Sequence, residues 1–162
     1  MESQDPVKVS SMKGCLIVAA LAAMALPDLA ASQTAGPPAG AAPTSLTIDF
    51  HGLRSRRGVV LAALFDSRKA YDANAHPIRT WTLSADGGDF SVTVRGLPPG
   101  DYAIKSFHDI DNNGKMNFNP VGIPMEPYAF SNNARGMFGP PPWTAAAFHV
   151  KPGANDQEIR LH

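Results

Sequence analysis

Apolar residues in this chain recur at every second position, in short runs separated by glycine and proline. Leu46, Ile48 and Phe50 alternate with Thr47, Asp49 and His51, and Phe90, Val92 and Val94 alternate with Ser91 and Thr93. This period places each apolar set on one face of an extended strand. The chain also holds 14 glycines and 15 prolines in 162 residues, which favours turns between short elements over long helices. An all-β fold follows.

Seven strands are expected. After Leu46–Phe50, the continuous apolar run Val59-Val60-Leu61-Ala62-Ala63-Leu64-Phe65 suits a central strand. Residues 66–76 form at most a helical turn, capped by Asp66 or Ser67. Pro77 marks a break before a third strand at Ile78–Leu83, and Asp86-Gly87-Gly88 supplies turn residues before the fourth at Phe90–Val94. Leu97-Pro98-Pro99-Gly100-Asp101-Tyr102 opens a fifth strand running to His108. Ala145–Val150 and Glu158–Leu161 complete the set. Seven short strands with turns between them fit a single antiparallel β-sandwich with one long ordered loop. Trp81 and Tyr102 are expected in its core. Arg54, Arg56 and Arg57 beside Gly58 read as a solvated hairpin turn.

The first 44 residues read differently. Met12-Lys13-Gly14 precedes the apolar segment Cys15–Leu26, then Pro27 and small residues. This describes a secretory signal peptide over residues 1–31, with Met12 as an alternative start. The apolar run falls short of the ~20 residues of a membrane span, so no span is expected once the signal is removed. Residues 32–44, rich in Ala, Pro and Gly, read as a tether, and residues 45–162 as the domain. The expected location is periplasmic or extracellular. Cys15 is the single cysteine and leaves with the signal, so apolar burial must hold the domain without a disulfide. Without Lys8 and Lys13, and without Glu2, Asp5 and Asp28, the 14 basic and 14 acidic residues become 12 and 11. A near-neutral domain lacks the basic face of a nucleic-acid binder.

Residues 107–148 have little periodicity and concentrate the chemistry. Asp109-x-Asp111-x-Asn113-Gly114 sets oxygen side chains at alternate positions, with a glycine where the chain must turn. That is the opening of a calcium loop. Lys115 offers a backbone carbonyl, Asn117 an amide oxygen, and Glu126 a remote carboxylate. Pro120 stands where an EF-hand has its closing Glu, so the frame is not that of an EF-hand and affinity should be modest. An Asx-rich turn satisfied by its own backbone is the competing reading. Zinc is not expected, since the histidines lack paired spacing. No organic cofactor is expected either.

Several motifs occur in one order: Gly52-Leu53-Arg54-Ser55, Leu97-Pro98-Pro99-Gly100-Asp101-Tyr102-Ala103, His108-Asp109 through Asn113-Gly114-Lys115, Gly122-x-Pro124-x-Glu126, and Phe130-Ser131-Asn132-Asn133-Ala134. Gly139-Pro140-Pro141 and Ala147-Phe148 follow. Together they resemble a family of secreted bacterial proteins catalogued as domain of unknown function 2141. The Leu-Pro-Pro-Gly-x-Tyr opening is similar to that of transthyretin-like domains, and a tyrosine corner also occurs in immunoglobulin-like Greek keys. The resemblance implies a cell-envelope sandwich and no particular reaction.

The expected function is a binding or structural module with a calcium-type loop over 109–117. Asn132, Asn133, Arg135 and Trp143 form a candidate surface for a polar ligand, a glycan or a protein partner, although a loop packed on its own sandwich, its amides capping irregular backbone, is the favoured reading of the same residues. The competing enzyme reading is a periplasmic hydrolase or isomerase using His108 with Asp109 and Glu126. Ser131 lacks a nucleophile-elbow sequence. A chain shortened to begin at Pro43 is expected to melt at the temperature of the chain that begins at Ser32. A melting temperature lower by many degrees would show that the tether packs on the domain.

Overall fold

The computed structural model describes residues 43–162; the segment read as a signal peptide and most of that read as a tether lie outside them. The fold is all-β, with two sheets and little helix. Its strands are β1 (Ser45–His51), β2 (Val59–Phe65), β3 (Arg79–Ser84), β4 (Phe90–Arg95), β5 (Gly100–Asp109), β6 (Tyr128–Phe130), β7 (Phe148–Val150) and β8 (Ala154–Arg160). Two short helices, α1 (Arg68–Ala73) and α2 (Trp143–Ala146), and a 3-10 turn at Ser131–Asn133 complete it. No helix among the described residues is long and apolar enough to cross a membrane.

The smaller sheet has the order β4-β1-β8, and the larger β3-β2-β5-β6, with β7 paired to the start of β5. Alternation explains the core. Leu46, Ile48 and Phe50 of β1 are fully buried and meet Val60, Ala62 and Leu64 of β2, Ile104 of β5 and Ile159 of β8 in one cluster. Phe50 stacks on Phe90 across the β1–β4 pair at 5.1 Å. A second cluster lies on the other face of β5, where Phe65, Tyr71, Ala103, Phe130 and Ala146 pack under Trp143. Ser67 caps α1 by accepting from the Ala70 amide, and Asn74 ends it at φ 49°, a left-handed conformation that Asn adopts readily.

The expected seven antiparallel strands become eight, and one pair is parallel. Tyr128–Phe130 forms β6 inside the stretch read as loop, pairing Lys105 with Phe130 and Phe107 with Tyr128. Three residues are too few to display a period. β1 and β8 run parallel, with Phe50 opposite Ile159; this pairing joins chain segments far apart in sequence, which no local pattern encodes. Ala145 and Ala146, expected in a strand, lie in α2 instead. Alanine favours a helix, and Pro142 at the N-cap starts the turn. The arginine segment does not close a hairpin: β1 and β2 belong to different sheets, so Arg54–Arg57 cross between them.

Tyr102 is 4% exposed, and its hydroxyl donates to the Pro98 carbonyl at 2.7 Å. The hydroxyl thus ties the strand to the turn that launches it. Tyr102→Phe is expected to cost about 1 kcal/mol, the net worth of one hydrogen bond. Tyr102→Ala should cost about 3–5 kcal/mol. Urea unfolding of both variants checks the ordering.

Candidate functional site

The site begins where β5 ends. Alternation turns His108 to the face that carries Tyr102 and Ile104, and Asp109 to the opposite face. Both are buried, at 0% and 1% exposure. His108 Nε2 lies 2.7 Å from the Arg57 carbonyl, which makes Nε2 the protonated nitrogen. Nδ1 is buried without a hydrogen-bond partner among the described residues. Gly58 permits this approach: at φ +79° it lies so close that a Cβ would overlap the Asp109 carbonyl.

Past Asp109 the chain folds back on that carboxylate. Asn112 takes φ 62° and Gly114 φ 76°, and these left-handed residues turn successive amides inward. Asn113 N–H donates to Asp109 Oδ1 at 3.0 Å, and Gly114 N–H to Oδ2 at 2.7 Å. Asp111 accepts from the amide N–H of Asn113 and from the side-chain amides of Asn113 and Asn117. Glu126 Oε1 accepts from the Ile110 amide at 2.9 Å, and Oε2 from the Asn117 amide at 3.0 Å. Asn113 Oδ1 takes the Lys115 amide.

Carboxylate oxygens of Asp109, Asp111 and Glu126 all lie within 4.8 Å of one another, with Asp109 and Glu126 buried and Asp111 exposed. The Asn117 side-chain amide, followed by the other hydrogen bonds to Asp111, holds its carboxyl below the usual carboxylate range, while desolvation opposes the shift. A depressed folded-state pKa stabilises the fold above the ordinary carboxylate pKa. That contribution is lost as pH falls through the lower folded value.

The same carboxylates root a finger. Met125 N–H bonds to the Asn117 carbonyl and Asn119 N–H to that of Ile123, while Phe118 bridges to Pro124. Asn119 Oδ1 closes the tip by accepting from Val121 and Ile123. Sequence reasoning passed over this finger, although Asn119-Pro120-Val121-Gly122 carries an Asx-turn signature.

The second candidate surface is committed largely to backbone. Asn132 Nδ2 donates to the carbonyls of Ala145 and Ala147. Asn133 accepts from Arg160 N–H at 2.7 Å and donates toward the Glu158 carbonyl. Ser131 Oγ, fully buried, accepts from Ile104 N–H and donates to the Ala146 carbonyl at 2.6 Å. Ser-Asn-Asn is thereby a clamp joining β5, α2 and β8. Trp143 meets Tyr71 edge-on at 5.7 Å. Arg135 lies 3.4 Å from His162 Nδ1, whose pKa is lowered by burial and then by Arg135, Arg54 and Arg160.

The pattern of the family described as "uncharacterized protein conserved in bacteria (DUF2141)" matches residues 48–158. The chain belongs to this family. The match begins in β1 and ends in β8, so it takes in the whole carboxylate loop, the finger and the Ser-Asn-Asn clamp. No curated protein and no solved structure matches the chain.

Ser131→Ala removes one partner each from a buried amide and a buried carbonyl. An unsatisfied buried group costs about 1–3 kcal/mol, so a loss of at least about 2 kcal/mol is expected in chemical denaturation. Loss of a few tenths only would show that water replaces the hydroxyl.

Proposed function

We propose that this chain is an exported cell-envelope protein, a binding or structural module whose Asp/Asn loop takes a calcium ion. The observation that carries the reading is the convergence of Asp109, Asp111 and Glu126 within 4.8 Å. Like charges at that spacing repel unless a proton or a cation intervenes. A carboxylate offers about four lone-pair positions, whereas Asp109 and Glu126 each accept two hydrogen bonds. Acceptor capacity therefore remains on Asp109 and Glu126 for an ion with their backbone N–H bonds kept. Asn113 and Asn117 would add amide oxygens by turning over, since both now donate through Nδ2, and Lys115 would add its carbonyl. A set of carboxylate, amide and carbonyl oxygens on a pliant loop suits calcium better than the strict octahedron of magnesium.

In this reading the two sheets form a sandwich of the transthyretin-like or immunoglobulin-like Greek-key kind, with a periplasmic or extracellular location. A polar ligand, a glycan or a protein is the proposed partner, and the near-neutral charge disfavours nucleic acid. The competing hydrolase or isomerase reading requires His108 to work beside Asp109 and Glu126. The bond between His108 Nε2 and the Arg57 carbonyl, on the opposite strand face from Asp109, supports the module instead.

Melting curves with calcium, with magnesium and with chelator test the proposal, repeated on Asp109→Asn/Asp111→Asn. At a hundredfold excess over its Kd, calcium bound only by the native state stabilises it by about 2.7 kcal/mol. The parent should gain stability in calcium, and the double variant should not. Identical curves in all three solutions, with no heat on titration, would reduce the loop to an Asx-rich turn.

A further inference from the structure

The outward face of β2 is apolar, yet the protein covers it only in part. Val59, Leu61 and Ala63 point away from the core and are half-buried, an apolar row on the face that an antiparallel strand ordinarily turns to water with polar residues. Over Leu61 and Ala63 lies a cleft of about 1090 Å³, just above the ~300–1,000 Å³ typical of small-molecule sites.

The register gives the cleft two poles. Toward the acidic loop, Leu61 pairs with Phe107, Phe107 with Tyr128, and the finger overhangs them with Phe118, Val121 and Ile123. Met137 and Phe138 line the same cleft from a second loop and are 90% and 100% exposed. Two steps along the strands, Ala63 pairs with Lys105 and Thr80, and α1 brings Asp72 and its cap Asn74 to this end.

Lys105 is the charge that matters. Its ammonium donates to the Tyr71 carbonyl at 2.7 Å and sits 4.3 Å from the Tyr71 ring and 5.5 Å from that of Phe65. An ammonium has three donors, so two remain. Asp72, the acid nearest in the cleft, is bound to Arg68 Nε at 3.2 Å. Lys105 forms no ion pair among the described residues. Burial lowers its pKa, with Asp72 opposing; Tyr71, whose hydroxyl is pushed up to about 12 by burial and then Asp72, stays neutral and donates to the Pro141 carbonyl. A half-buried cation at one end of an apolar trough suits an anion attached to an apolar chain.

We propose that the cleft on the outer face of β2 and β5 binds a long-chain carboxylate, with its headgroup on Lys105 and its chain between the β2 face and the finger. The ammonium supplies charge-assisted hydrogen bonds to the carboxylate. Leu61, Phe107 and the apolar residues of both loops remove the chain from water. Ligand binding here does not require an ion at the acidic loop, since none of Asp109, Asp111 and Glu126 lines the cleft.

Titration of the full chain with hexadecanoate, below its aggregation concentration and followed by displacement of a fluorescent fatty acid, tests the proposal. Saturable binding of one equivalent is expected, with hexadecanol weaker. Lys105→Met keeps the packing stem and should weaken hexadecanoate at least about tenfold while leaving hexadecanol unchanged. Phe118→Ser, at a position 56% exposed and so tolerant of change, should weaken both. Absence of saturable binding would overturn the proposal, as would equal loss of both ligands in Lys105→Met at unchanged stability. So would attachment of the protein to phosphatidylcholine vesicles through the loop tips without uptake of hexadecanoate.

Discussion

Irregular backbone cannot be buried without partners for its amides and carbonyls, and that requirement organises the half of this domain that follows β5. Strands β1 to β5 satisfy one another through ladders. Between Ile110 and Ala147 only β6 does so, and side-chain oxygens take over. Asp109 and Glu126 hold the amides of Ile110, Asn113, Gly114 and Asn117. Ser131 and Asn132 hold the C-terminal end of α2. Each of these groups is tied to β5 or lies within three residues of β6, so the long segment is pinned at two places to one sheet. With no cysteine among the described residues, these bonds do what a staple would otherwise do.

Alternation made much of the sheet legible before any coordinates. Leu46, Ile48 and Phe50 could face only one way together, and all three are fully buried. Tyr102 was readable because the Pro-Pro-Gly turn fixes where its strand begins. What stayed hidden depends on distance or brevity. The parallel pairing of β1 with β8 is decided by how the sheets close, and β6 is shorter than two periods of a strand. The helical turn at Trp143–Ala146 lost to a strand reading because a run of alanines carries no period at all.

The candidate site was legible to a similar depth. The spacing Asp109, Asp111, Asn113 announced a loop in which oxygens converge, and Glu126 stood out as the next acid in the chain. Their hydrogen-bond partners were not readable: Asn113 and Asn117 direct nitrogen, not oxygen, at Asp111, a choice made by the surrounding network. The Ser-Asn-Asn motif left two uses open, because amides in a loop are equally suited to ligands and to backbone. Only the positions of the Ala145, Ala147 and Glu158 carbonyls decide between these uses. Lys105 gave no signal, since one lysine within a strand usually marks its solvent face.

The acidic loop and the cleft share a structural member. Asn117 opens the finger, and its amide is held by Glu126 while its side chain is held by Asp111. A cation among the three carboxylates would turn the Asn117 side-chain amide over and break its bond to Asp111, altering the root of the element that carries Phe118, Val121 and Ile123. Any change that the ion makes in finger position is a change in the cleft wall. Linkage then runs in both directions: a ligand that favours one finger position must shift ion affinity by the same factor that the ion shifts ligand affinity. The coupling needs no long pathway, because Asn117 immediately precedes Phe118, which lines the cleft. Its size is bounded by the difference in hydrogen bonding at that one residue, of the order of one to two bonds or about 1–3 kcal/mol.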